Sequence, residues 1–218
     1  MSSMATIAQF PTPLPAAEED HRISNSLSVI SSLVRLKATD AKIDDVRQIL
    51  LDVAGRIDTV ARLHRLLARA ETTAVPLGRF LGDVCAAMMS IAANDDRLRI
   101  AIECPDELTV PANKALSLGL ITAELFANSI KYAHPTGVPT FIKVACRDEQ
   151  DGRITFLFED DGIGFPEHFD PARNDSLGMK ILDSLSAQLH GLSEWQDLGI
   201  GLRFLCRFPV LAPAGEQT

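Results

Sequence analysis

Apolar residues recur at steps of four and three along two stretches near the N-terminus. Ile23, Leu27, Ile30 and Val34 form the first stripe, and Val46, Leu50, Val53, Ile57, Val60, His64 and Leu67 form the second. This spacing puts each set on one face of an α-helix, and the second stripe sustains a heptad seam. The polar stretch 38–44 between them predicts a short connection, hence an antiparallel helical hairpin. The second helix, residues 44–71, would be about 40 Å long at about 1.5 Å per residue. A hairpin cannot bury both of its own stripes. It is expected to pack against a second copy, as half of a four-helix bundle in a homodimer.

Residues 71–76 lose the apolar period and end on Pro76, which predicts a linker. Beyond it the period changes repeatedly. Helices are expected over residues 77–91, 112–133 and 177–190, and strands over 98–104, 140–146, 153–159 and 201–208. Strands with interspersed helices, without strict β-α-β alternation, predict an α+β chain whose second part is an α/β sandwich with helices on one sheet face. The organisation read from these patterns is a disordered tail over residues 1–17, where Pro11, Pro13 and Pro15 oppose helix, then the hairpin over 18–71. The sandwich occupies 76–210 and a C-terminal tail 211–218.

Composition narrows the function. The 218 residues carry a formal charge of -8, and Lys and Arg are scattered, so nucleic acid is not expected as the main partner. No apolar run approaches the roughly 20 residues that span a bilayer. The first twenty residues contain no Lys or Arg and no apolar core of a secretory signal. Cys85, Cys104, Cys146 and Cys206 form no C-x-x-C pair and read as reduced, buried thiols of a cytoplasmic protein.

Three segments carry candidate chemistry. On the helix 112–133, Leu118, Ile121, Leu125 and Tyr132 share one face. Glu124, Asn128 and Lys131 line up on another, roughly 120° away. The Asn128 amide oxygen suits a hard Mg²⁺, which needs only one or two protein oxygens when phosphates supply others. Lys131 can neutralise phosphate, and Glu124 can hold a water on the metal. The same charges would also suit a solvated helix face. Next, the run ITFLFE ends in Asp160-Asp161-Gly162-Ile163-Gly164. Glycines there allow a ligand close to the backbone, and the Asp160 carboxylate is an acceptor for an exocyclic amine such as that of adenine. Last, Ser176-Leu177-Gly178-Met179 opens a helix whose free N–H groups can face phosphate.

In this order the segments resemble the ATP-binding motifs of the gyrase/histidine-kinase ATPase superfamily, the Bergerat fold. ELFANSIKYA resembles its N box, DDGIGF its first glycine box and SLGMKI its second, with residues 165–175 as the lid. The closing GLRFLCRFP is similar to the last strand of histidine-kinase catalytic domains, with Leu202 where a Gly-Thr is usual. In the hairpin, His21, Arg22, Asn25 and Leu27 match the H-R-x-x-N-x-L of sensor histidine kinases whose phosphoacceptor is followed by Arg.

The resemblance implies an ATP- and Mg²⁺-dependent, autophosphorylating protein-histidine kinase of a two-component system. His21 would accept the γ-phosphoryl group and pass it to an aspartate of a response-regulator receiver domain, with Arg22 steadying phosphate oxygens and Glu18, Glu19 or Asp20 taking a proton. Asn128 would hold Mg²⁺ and Lys131 the phosphates. Asp160 would read adenine, Gly162, Gly164 and Gly178 would shape the pocket, and Tyr132 would lie within reach of the nucleotide. His64 and Trp195 read as packing residues. With about twenty residues before His21, the input is expected from a separate sensor or input protein, from the N-terminal tail, or not at all. Two alternatives share these features: a phosphorelay adaptor with an inactive ATP domain, and an anti-sigma-factor serine kinase.

Overall fold

The computed structural model describes residues 16–68, 74–92, 98–134, 138–173 and 176–210. The expected tails, 1–15 and 211–218, lie outside the described residues, as do 71–73 of the expected linker.

Helices α1 (Ala16–Asp40) and α2 (Asp44–Leu67) form the hairpin, α1 starting two residues inside the expected tail. The most buried positions of their seam are small residues that the expected stripes did not include. Ser24, Ser31 and Ala38, seven residues apart, are buried on α1, facing Ala54 and Ala61 on α2. Small side chains let two helices approach closely, and polar ties fix the register. Ser31 Oγ donates to the Ala54 carbonyl at 3.1 Å, Arg65 Nη1 to Ser24 Oγ at 2.6 Å, and Arg35 pairs with Asp58 at 2.6 Å. Leu27 and Val34 of α1 and Leu50, Val53, Ile57 and Val60 of α2 are half-buried, and other large apolar residues face away from the intramolecular seam. Ile23, Val29, Ile30, Leu33 and Leu36 of α1 stay exposed, as do Val46 and Ile49 of α2. Leu63 and Leu67, at the far end of α2, are buried in the core of the sandwich.

After α2, part of the expected linker forms strand β1 (Ala74–Pro76), paired antiparallel with β3 (Thr109–Pro111). These three-residue strands are too short to register as alternation in the sequence. Helix α3 (Leu77–Ile91), strand β2 (Leu98–Glu103) and helix α4 (Ala112–Asn128) follow. A π-helical turn, Ser129–Ala133, extends α4, so the long helix read from the sequence is widened at its last turn. Then come β4 (Thr140–Asp148), β5 (Arg153–Asp160), α5 (Leu177–Gln188), β6 (Leu192–Asp197) and β7 (Leu202–Pro209).

The main sheet has five strands in the order β2-β4-β5-β7-β6, parallel between β2 and β4 and antiparallel elsewhere. Alternation selects its buried face: Ile142, Val144 and Cys146 on β4, Ile154, Phe156 and Phe158 on β5, and Phe204, Cys206 and Phe208 on β7. In register Val144 pairs with Phe158 and Phe158 with Phe204, so these side chains form rows against which α3, α4 and α5 pack. Helices thus cover one face, as the sequence predicts.

All four cysteines are free; Cys104 is half-buried and the others are buried. Burial pushes the Cys85 thiol up to about 12 and the Cys206 thiol to about 11. Among the described residues, no helix is long and apolar enough to cross a membrane.

Candidate active site

The end of β5 and the end of α4 are zipped together. Ser129 Oγ donates to Asp160 Oδ2 at 2.7 Å, and the Ile163 N–H donates to the Ala133 carbonyl at 2.9 Å. The other oxygen, Asp160 Oδ1, accepts from the Gly162 N–H at 3.0 Å and the Leu202 N–H at 3.4 Å. Gly162 lies against Ala133 so closely that a Cβ would come within 2.5 Å of Ala133 Cα and Cβ. Gly164 has φ +77, a left-handed conformation that favours glycine. His134 reaches Asp161 Oδ1 at 2.9 Å, and the same oxygen accepts from the Phe141 N–H. Burial opposes ionisation of Asp161, but these bonds outweigh it and hold its carboxyl below the ordinary value.

Between this junction and α5 lies a cavity of about 640 Å³, within the usual range for small-molecule sites. Glu124, Asn128, Lys131, Tyr132, Asp160, Gly164 and Gly178 all line it. Gly162 does not line it but shapes its wall through the Ala133 contact. The aromatic side of the cavity went unread in the sequence. Phe165 stacks on Phe169 with centroids 4.6 Å apart and meets Trp195 edge-on at 5.3 Å, and Trp195 meets Phe204 at 5.0 Å. Trp195 is therefore both packed and part of the cavity wall. Its isolated position in a polar strand gave no periodic signal.

At the opposite end, Ser176 caps α5, its Oγ accepting from the Met179 N–H at 3.4 Å. A Cβ on Gly178 would lie 2.5 Å from Glu124 Oε1, so the second glycine box lies directly against the Glu124 carboxylate. Glu124 is buried, and burial pushes its carboxyl above the usual range, with Arg56 and Lys131 pulling the other way. Two hairpin residues absent from the sequence reading also line this end: Asp52 and Arg56 of α2. Their side chains meet the cavity only through the packing of α2 on α4, which no local pattern reports.

The donor set fits a hard divalent cation with phosphate. The Asn128 side-chain amide lines the cavity and makes no hydrogen bond among the described residues, leaving its oxygen available beside the Glu124 carboxylate. No cluster of three or more His, Cys, Asp or Glu able to hold a metal occurs among the described residues. One or two protein oxygens completed by phosphate is the Mg²⁺ arrangement.

His21 and Arg22 stand exposed on α1, outside the cavity. Asn25 Nδ2 lies 3.3 Å from His21 Nδ1. The side chains of Glu18, Glu19 and Asp20 lie outside what the structure describes. The Ser31–Ala54 tie sets His21 level with about residue 64 of α2. It thus stands about 12 Å along the hairpin from the level of Arg56, at about 1.5 Å per residue. His64 is half-buried on the seam of α2, and His134, His168 and His190 do not line the cavity.

A helical hairpin joined to a helix-on-sheet sandwich, with a helix start, an Asn and a Lys lining one cavity, is the arrangement expected of a histidine-kinase type of Bergerat ATPase. Residues 18–92 match the family described as Histidine kinase, and residues 113–212 match the Histidine kinase-, DNA gyrase B-, and HSP90-like ATPase. The chain belongs to the histidine kinases and carries their ATP-binding domain. It is 28% identical over 176 residues to the sensor histidine kinase PdtaS of Mycobacterium tuberculosis, covering 80% of this chain and 35% of that one. It is 26% identical over 175 residues to blue-light-activated histidine kinase 2 of Erythrobacter litoralis, covering 78% of this chain and 49% of that one. The histidine kinase domain of an Erythrobacter litoralis blue-light activated histidine kinase shares the fold, with a TM-score of 0.65 at 20% identity over 89% of this chain and 94% of that chain. The chain spans about a third to a half of the length of these curated relatives.

Proposed function

We propose that the chain is an ATP-dependent, autophosphorylating histidine kinase that transfers phosphate from His21 to an aspartate of a response-regulator receiver domain. The observation that carries this reading is the convergence of Glu124, Asn128, Lys131, Asp160 and Gly178 on one cavity. We assign residues 18–71 to dimerisation and phosphoacceptance and residues 76–210 to nucleotide binding.

In this reading Asp160 is the adenine acceptor. Three hydrogen bonds from Ser129, Gly162 and Leu202 fix its carboxylate, and Phe165, Phe169 and Trp195 supply apolar surface for a base. Tyr132, exposed beside Lys131, reaches the nucleotide from the same side. Lys131 and the N–H groups at the start of α5 face the phosphates. Asn128 would hold Mg²⁺ and Glu124 a water on it, and the ion when bound neutralises phosphate charge. Phosphoryl transfer depends mainly on in-line positioning and such neutralisation.

The acceptor chemistry rests on His21 and Asn25. An amide can present either its oxygen or its NH₂ to a ring nitrogen. Presenting its oxygen, Asn25 accepts from Nδ1–H and leaves the Nε2 lone pair free to attack phosphorus. Arg22, one residue on, would meet the transferred phosphate. Because His21 stands about 12 Å along the hairpin from the cavity's α2 wall, transfer requires the ATP-binding part to move relative to α1 or to serve a second copy.

The exposed apolar row of Val29, Leu33 and Leu36 with Val46 and Ile49 suits the second hairpin of a homodimer. Calorimetric titration of the chain with Mg²⁺ and a non-hydrolysable ATP analogue tests the reading. Saturable binding supports the kinase. No binding at millimolar analogue, with phosphate uptake from a receiver intact, would leave the phosphorelay adaptor.

A further inference from the structure

Two residues one helical turn apart on α2 close the phosphate end of the cavity. Arg56 Nη2 donates to Glu124 Oε1 at 3.0 Å, and Asp52 Oδ2 accepts from Lys131 Nζ at 3.5 Å. A base and an acid on the hairpin thus face an acid and a base on α4 and its π-helical turn. Both charged residues of the N-box face are engaged by the hairpin. Gly178 lies against the same pair, with a Cβ position 3.8 Å from Arg56 Nη2. The contact spans from position 52–56 to position 124–131, so it joins the phosphoacceptor hairpin to the nucleotide site.

The two pairs differ in strength. Asp52 and Lys131 side chains are 43% and 53% exposed, so their attraction is screened by salt. Glu124 is only 9% exposed against 32% for Arg56. A charge-assisted hydrogen bond there is stronger. The docked arrangement also carries a cost, because Arg56 Nη1 is buried with no hydrogen-bond partner among the described residues. Opening releases that donor to water. The contact is therefore firm enough to hold yet poised to let go.

We propose that Asp52 and Arg56 form an internal latch that occupies Lys131 and Glu124 and competes with Mg²⁺·nucleotide for them. The proposal rests on the nucleotide-site reading above. A ligand that binds only the open arrangement must first displace the two pairs, and its apparent affinity falls by the fraction of molecules that are open. The latch also couples binding to domain release. Phosphates that take Lys131, and a Mg²⁺-bound water that takes Glu124, free α2, and with it the ATP-binding part, from the arrangement in which His21 stands about 12 Å away along the hairpin.

The test is titration of the full chain with Mg²⁺ and a non-hydrolysable ATP analogue, comparing wild type with Asp52→Asn and Arg56→Gln at low and high salt. The latch predicts tighter binding, about threefold to fivefold for Asp52→Asn and about tenfold for Arg56→Gln. The advantage of Asp52→Asn should shrink as salt rises, a dependence that a packing defect would not show. If Arg56→Gln fails to fold, Asp52→Asn, at an exposed position, carries the test alone. Tightening at either position supports the latch at that pair. Unchanged or weaker binding in the folded variants, with wild type binding the analogue, overturns it, and weaker binding would make Arg56 a phosphate ligand instead. Binding by a variant but not by wild type supports a stronger latch. If neither binds, the nucleotide-site reading fails and the latch falls with it.

Discussion

Ser129 Oγ donates to Asp160 Oδ2 across 2.7 Å, tying the π-helical turn after α4 to the last residue of β5. The bond fixes the orientation of a carboxylate whose other oxygen is held by two backbone N–H groups. Ser129→Ala is expected to leave the fold intact and loosen that carboxylate. Losing the bond should weaken nucleotide affinity by about 1 kcal/mol, roughly fivefold in Kd, measured by calorimetry. Adenine and guanine nucleotides should also be discriminated less well.

Gly162 admits no side chain. A Cβ there would meet Ala133 Cα and Cβ at 2.5 Å and the Ala133 carbonyl at 2.9 Å. The Ile163–Ala133 hydrogen bond prevents the two segments from parting. Gly162→Ala should therefore destabilise by about 1–3 kcal/mol, visible as a lower Tm, and weaken nucleotide binding by displacing Asp160. An unchanged Tm would show that the junction yields more easily than this packing implies.

The folded-state pKa of Asp161 is lowered: burial raises it, but the His134 and Phe141 hydrogen bonds prevail. A depressed carboxyl contributes stability above its ordinary value, 3.8, and that stability is lost as pH falls through the lower folded value. The Tm advantage of wild type over Asp161→Asn should accordingly be present at pH 6 and shrink toward pH 3. A gap that is constant across this range would mean that Asp161 acts by geometry and not by its charge.

The apolar row on the hairpin predicts self-association. Leu33 and Ile49 are 58% and 62% exposed, an exposure that a hairpin partner would remove. Leu33→Glu with Ile49→Glu should convert a dimer to a monomer in light scattering while leaving the Tm of the sandwich nearly unchanged, since neither residue belongs to its core. A wild-type monomer would contradict the bundle.

The hairpin, the three sandwich helices and four of the five main-sheet strands were legible because each repeats a period of 3.6 or 2 over enough residues. β6 was not: Leu192–Asp197 is a polar strand with no buried row. The short β1–β3 pair was also hidden. The hairpin seam was read only in part: Leu27, Val34, Leu50, Ile57 and His64 of the two stripes are half-buried, but its most buried positions are Ser24, Ser31, Ala38, Ala54 and Ala61, small residues that a search for large apolar side chains passes over. Glu124, Asn128 and Lys131 were readable because helical spacing puts them on one face, and Asp160 because DDGIGF resembles a glycine box. Asp52 and Arg56 were not, since their place at the cavity is created by α2 docking on α4, a tertiary contact between positions 68 residues apart in the Arg56–Glu124 pair.

The central claim is that the terminal phosphate of ATP comes to rest on the His21 imidazole. Incubation with Mg²⁺ and γ-labelled ATP tests it directly. Labelling that is lost in acid and is abolished by His21→Gln, with nucleotide affinity retained, is the expected result. Label that survives both acid and that substitution, or a chain that binds nucleotide yet never becomes labelled, would contradict the account.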